Sequence, residues 1–145
     1  MGGTGNLIYA TLYPEDVAGV FSSCSVTDLA TYYDWCRARN RGILKEIADA
    51  IESAYGGPPS KCRDRYAGHS TVLNHAKLTM PVFITHSTGD DIIPVFQSQQ
   101  LAKAMGKSPN FQYREMPDGD HDSPFFANFI EGLDWLLSKL NAKKN

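Results

Sequence analysis

Two kinds of apolar spacing alternate along this chain. Short continuous runs at Val17-Ala18-Gly19-Val20-Phe21 and at Met80-Pro81-Val82-Phe83-Ile84-Thr85-His86 predict buried strands. Pro81 fits the first position of its strand, where no ladder donor is needed. Phe111-Gln112-Tyr113-Arg114-Glu115-Met116 alternates and predicts a third strand. Helical spacing lies between these runs. Leu7 to Leu12 follows the glycine-dense Gly2-Gly3-Thr4-Gly5 and stops before Pro14, as a short helix with a tight start. Ile43, Leu44, Ile47, Ile51 and Tyr55 recur on one face, until Gly56-Gly57-Pro58-Pro59 ends the pattern. Gln97 to Met105 reads as a short helix with Gly106 as its C-cap. Phe125, Phe126, Phe129, Ile130, Leu133, Leu136, Leu137 and Leu140 carry the strongest 3.6-residue pattern and predict a C-terminal amphipathic helix. Asp28 to Asn40 is polar and aromatic, and Ser60 to Thr79 reads as loop with short helical turns. The order helix, strand, helices, strand, helix, strand, helix implies an α/β fold with an open, mostly parallel sheet of about three strands and flanking helices.

Composition narrows the class. A chain of 145 residues with 42% hydrophobic and 21% charged residues matches one globular domain and argues against disorder. Fourteen basic against sixteen acidic residues, net -2, lack the footprint of a nucleic-acid binder. No apolar run approaches the roughly 20 residues of a membrane span, so no membrane partner is expected. Met1 to Asn6 has no signal-peptide pattern. Cys24, Cys36 and Cys62 are odd in number, and no pair is spaced as C-x-x-C, so neither a zinc site nor a thioredoxin-type centre is suggested. They read as packing thiols, with one disulfide plus a free thiol left open. The count does not decide the compartment.

Candidate chemistry falls at strand ends, where ligands bind in parallel α/β sheets. His86-Ser87-Thr88-Gly89-Asp90-Asp91-Ile92-Ile93-Pro94 follows the second strand, and Asp118-Gly119-Asp120-His121-Asp122 follows the third. A carboxylate from the first loop and an imidazole from the second make two-thirds of a nucleophile–His–acid triad. The nucleophile elbow G-x-S-x-G appears nowhere in the chain. Set against that motif, Met1 is the residue after the serine and Gly2 the closing glycine, so the serine is expected just before residue 1. Ser22, Ser23, Ser25, Ser70, Ser87 and Ser98 do not complete an elbow, and no replacement nucleophile is assigned.

Met1-Gly2-Gly3, Tyr13-Pro14-Glu15-Asp16-Val17-Ala18-Gly19-Val20, Tyr55-Gly56-Gly57-Pro58, Tyr66, the block Pro81 to Ser98 and Gly119-Asp120-His121 together resemble the C-terminal part of a serine α/β hydrolase. The resemblance is to the prolyl-oligopeptidase-like and esterase-like branch and covers nearly the whole chain. It implies a partial α/β-hydrolase fold over residues 1–145, with a cap-like helical segment at about 28–79. It implies hydrolysis of an ester or amide bond through an acyl-enzyme, on a small-molecule ester or peptide substrate, without cofactor. Asp90 matches the triad acid, His121 the general base, and the Met1 backbone N–H an oxyanion-hole donor. The whole fold is expected to need roughly 200–250 residues, and without the nucleophile serine this chain alone is expected to be hydrolytically silent. Ser87 replaces the usual Gly, and Asp120 replaces a common Gly and is expected to add negative charge beside His121.

Each candidate has a competitor. Asp91 competes with Asp90 for the acid. Asp28 reads as a helix N-cap before Leu29. His86 reads as a packing or hydrogen-bonding residue, and His69 and His75 as structural or solvated. Asp118, Asp120 and Asp122 suggest a calcium loop but fail the EF-hand test, with Ser123 at position six and Phe129 at position twelve. Tyr32, Tyr33 and Trp35 read as packing within the cap, with contact to an acyl group or sugar as the alternative. A rival for the whole chain is a non-catalytic interaction module that needs a partner, an oligomer mate or the missing half, to cover the edge of its sheet.

Overall fold

A computed structural model describes residues 2–142. The strands are β1 (Val20–Ser23), β2 (Val82–Ser87) and β3 (Phe111–Met116), in the order β1-β2-β3. Both pairings are parallel, with Val20 opposite Val82 and Val82 opposite Phe111. The helices are α1 (Gly2–Leu12), α2 (Leu29–Arg39), α3 (Gly42–Tyr55), α4 (Arg63–Gly68), α5 (Phe96–Met105) and α6 (Ser123–Ala142). Short 3₁₀ turns fill Pro14–Asp16 and His75–Lys77.

Alternation along the strands sends side chains to both faces. Val20, Val82 and Ile84 meet Leu7 and Ala10 of α1 and Leu101 of α5 in one buried cluster. On the other face the Phe21 and Phe83 rings stack 5.7 Å apart beneath α6. Gly132 of α6 lies against them. A Cβ there would come within 2.5 Å of Phe21 ring carbons and 3.0 Å of Phe83 Cδ1. β2 is buried along its whole length, as a central parallel strand must be.

Two expectations shift. The first strand begins at Val20 rather than Val17. Its extent follows its neighbour: Val20 N–H donates to Pro81 O at 2.9 Å, and the ladder then runs to Ser23 opposite Thr85. The C-terminal helix forms as its spacing predicts, yet its buried stripe is Pro124, Asn128, Gly132 and Leu136. Phe126 stays 79% and Ile130 66% exposed, with Leu133 and Leu137 also open. The Phe21 and Phe83 rings fill the middle of the sheet face, so the helix places Gly132 over them and sets Phe125, Phe129 and Trp135 around their edges.

The polar and aromatic stretch Asp28 to Asn40 holds α2, with Asp28 and Asn40 as its caps. Asp28 Oδ1 accepts from the N–H groups of Ala30 and Thr31, so Asp28 is the N-cap. Gly56 at φ 80° closes α3. Helices α2, α3 and α4 share a second core of Leu29, Tyr32, Tyr33, Cys36, Leu44, Ala48 and Tyr66, joined by Val26 and Ile93. Gln97 of α5 fastens this layer to the sheet: its Oε1 accepts from Thr27 N–H at 2.9 Å and Asp28 N–H at 2.8 Å. Cys24, Cys36 and Cys62 are all free thiols.

Candidate active site

The loops after β2 and β3 are laced together by backbone and short side chains. Thr88 N–H donates to Met116 O at 3.0 Å, and Asp118 N–H to Thr88 Oγ1 at 3.0 Å. Ser87 Oγ lies 2.8 Å from Asp120 O and 3.1 Å from Gly119 O. Gly89 packs directly on the Gly119 carbonyl, leaving no room for a side chain, and Gly119 itself has φ 84°. This lacing carries the two sequence-predicted side chains to each other across 31 residues. His121 Nδ1–H donates to Asp90 Oδ2 at 2.8 Å. Asp91 is exposed and does not enter the pair.

Asp90 is fully held. Its Oδ1 accepts from the N–H groups of Ile92 and Ile93, each at 2.9 Å. Its Oδ2 takes His121 and also faces His86 Nε2 at 3.3 Å, and the carboxylate is 0% exposed. Burial alone would raise its pKa. His121, His86 and the two amides outweigh that and hold the carboxyl well below the usual carboxylate range. The bond to Asp90 pushes the His121 pKa up, against a smaller opposing effect of burial. Its ring is about one-third exposed, and its Nε2 has no hydrogen-bond partner among the described residues.

The ring borders two cavities. One, of about 330 Å³, is lined by Gly2, Gly3 and Asn6 at the start of α1, by Phe21 and Ser23 of β1, and by Asp122 and Phe125. The other, of about 340 Å³, is apolar, with Val26, Leu29, Tyr32, Ile47, Ile51 and Ile93 among its walls. The α1 start fits tightly on β1, since Ser22 Oγ donates to Gly3 O at 3.0 Å. Met1, the expected oxyanion donor, lies outside the described residues.

One expectation is corrected. Asp120 is not the extra charge on His121. Its Oδ1 turns to the start of α6, accepting from Ser123 N–H at 2.9 Å and Ser123 Oγ at 2.5 Å. Beyond Asp90, the neighbouring carboxylate that acts on His121 is Asp122. His69 bonds Tyr55 Oη and His75 bonds Val72 O, both at structural positions.

Sequence reading missed a buried partner of the acid. Cys24 follows β1 in the left-handed region, at φ 46°. Its sulfur, a His86 nitrogen and an Asp90 oxygen all lie within 4.8 Å of one another. By composition these three could ligate a metal, but His86 offers both nitrogens to protein groups, Ser98 Oγ at 2.7 Å and Ile93 O at 2.9 Å. Burial pushes the Cys24 thiol up to about 12, so it is a thiol and not a thiolate near neutral pH. No signal short of the fold could have joined Cys24 to a loop more than 60 residues away.

No protein-family model matches the sequence, and no curated protein does. The fold does have solved counterparts. Porphyromonas gingivalis dipeptidyl peptidase 4 superposes with TM-score 0.69 at 13% identity over 95% of this chain. The 2,6-dihydroxy-pseudo-oxynicotine hydrolase gives 0.65 at 19% identity over 97%. Pyrococcus horikoshii acylaminoacyl peptidase gives 0.58 at 16% over 86%. This chain spans 18% of each of the two peptidase chains and 38% of the hydrolase. The fold is that of the C-terminal part of an α/β hydrolase: three parallel strands with flanking helices.

Proposed function

We propose that this chain supplies the acid and base of a serine hydrolase acting on an ester or amide bond through an acyl-enzyme. The observation that carries the reading is the His121–Asp90 bond of 2.8 Å, with a buried acid and a ring that borders an open cavity at the start of α1. That geometry suits proton transfer on the Nε2 side, with Asp90 fixing the Nδ1–H tautomer. The nucleophile is assigned to a serine just before Met1, on the elbow motif. Its hydroxyl proton passes to His121 Nε2 as its oxygen bonds the carbonyl carbon. The imidazolium then returns that proton to the leaving alcohol or amine as the carbonyl–heteroatom bond breaks. Water repeats the sequence and frees the acid product. The Met1 N–H is assigned to the oxyanion.

The apolar cavity beside His121 favours a substrate with an apolar acyl group or side chain. Its walls from α2 and α3 support a cap role for residues 28–79. Peptidases and a hydrolase among the similar folds support the same bond types. The 145-residue chain alone is assigned no turnover. A second reading, a docking module without catalysis, draws on the open apolar face of α6 and the unpaired edge of β1. In either reading the missing upstream half, or an oligomer partner, covers that surface.

One experiment separates them. The coding sequence just upstream is expected to read Gly-x-Ser in frame. The chain extended through it is expected to turn over p-nitrophenyl acetate, and His121→Ala to lose at least about a hundredfold in rate. An in-frame stop upstream, or undiminished activity in His121→Ala, defeats the hydrolase reading.

A further inference from the structure

His86, Ser98 and Asp90 form a second Ser–His–Asp chain behind the first. Ser98 Oγ lies 2.7 Å from His86 Nδ1, and His86 Nε2 lies 2.9 Å from Ile93 O and 3.3 Å from Asp90 Oδ2. The residue types are those of a triad, but the ring is turned over, with serine on Nδ1 and carboxylate on Nε2, and Ser98 and His86 are buried beneath the loop, at 1% and 0% exposure. No substrate reaches that hydroxyl, so the chain's composition has another use.

The proton positions follow from the partners. A carbonyl oxygen only accepts, so His86 Nε2 carries the hydrogen that faces Ile93 O. In the neutral ring Nδ1 is then the acceptor, and Ser98 donates to it. The same Nε2–H lies beside Asp90 Oδ2, 3.3 Å away, the oxygen that also accepts from His121 Nδ1. One carboxylate oxygen thus serves two imidazoles, one sealed and one open to the cavity. Donors to a common acceptor compete, while a donor to Nδ1 strengthens the Nε2–H as a donor in turn.

We propose that His86, anchored by Ser98, is a positioning residue for the acid: it holds Oδ2 in place and takes a share of its charge, setting how strongly Asp90 pulls on His121. The inference rests on reading Asp90 and His121 as acid and base. Other ionisable groups face this cluster. Cys24 comes from the β1 end, Tyr32 from α2, Glu115 from β3 and Asp122 from the His121 loop. Cys24 also approaches the carboxylate, its sulfur within 4.8 Å of an Asp90 oxygen, and His86 Nε2, 3.3 Å from Oδ2, is the nitrogen donor to remove.

The test is an NMR titration of the His121 ring in the 145-residue chain, which needs no hydrolysis. His86→Leu removes the competing donor, and the His121 midpoint is expected to rise by about half a pH unit, the scale of one modest hydrogen bond. His86→Gln, which keeps an N–H donor, is expected to bring the midpoint back toward the wild-type value. Ser98→Ala weakens the donor without deleting it, and is expected to shift the midpoint in the same direction by less. If His86→Leu fails to fold, the Ser98→Ala shift decides. A midpoint that stays or falls in the folded variants overturns the proposal, because a packing role alone predicts a loosened pair and a lower value. Asp90→Asn is run alongside. If His121 titrates identically with and without the carboxylate, the acid–base reading itself fails, and the two failures are told apart.

Discussion

Asp90 and His121 are coupled to folding through their protons. The His121 pKa is raised above its ordinary 6.5. Its contribution to stability is therefore complete below 6.5 and disappears as pH rises through the folded value. The Asp90 pKa is lowered from 3.8, so its contribution is complete above 3.8 and disappears as pH falls toward the folded value. The pair favours the folded state most between those two limits. Urea midpoints of the wild type are expected to fall as pH rises above 6.5, and those of His121→Ala to fall less. Equal slopes would mean that His121 titrates alike in the folded and unfolded chain. At this scale the sequence was readable in part. The Pro81–Ser98 block points to Asp90 ahead of its competitor Asp91, and it is Asp90 that meets His121; Asp28 reads as an N-cap from its place before Leu29. Ser87, Asp120 and Cys24 were not readable. Their roles depend on which loop meets which, and spacing along one strand carries no record of its neighbour.

Elements were more legible than their faces. β3 runs over the predicted residues, and α5 and Gly106 lie within a residue of expectation. The apolar count of α6 gave the helix but not the stripe that packs, because the Phe21 and Phe83 rings already fill the sheet surface and Gly132 must yield to them. Gly132→Ala places a methyl group within 2.5 Å of Phe21 and is expected to cost about 1–3 kcal/mol, as overpacking does. Gly5→Ala is the control. Its Cβ meets nothing within 4 Å inside α1, and it is expected to stabilise by about 0.5–1 kcal/mol through helix propensity. Thermal melts compare the two. A Gly132→Ala variant as stable as wild type would show that α6 slides freely on the sheet.

Across the whole molecule, one long helix presents an uncovered apolar band. Phe126, Ile130, Leu133 and Leu137 stand 79%, 66%, 40% and 47% exposed beside the edge strand β1. Contiguous surface of this kind marks a contact region. The chain is expected to self-associate with rising concentration in sedimentation velocity, and Phe126→Ser with Ile130→Ser to return it to a monomer with little change in melting temperature. A wild-type monomer throughout the micromolar range would remove that role from α6.

The sheet has one more consequence, for the order in which the molecule assembles. All three strands run parallel, so none is joined to its neighbour by a hairpin, and each pairing closes a long crossover. Helices α2 and α3 are consecutive in the chain and can meet early, whereas β2 and β3 must first enclose α5. The Asp90 oxygen and the His121 nitrogen that bond each other lie just past the ends of those two strands. They meet only when the last strand has docked, so in a refolding experiment the burial of the α2–α3 core is expected to precede the raised titration of His121.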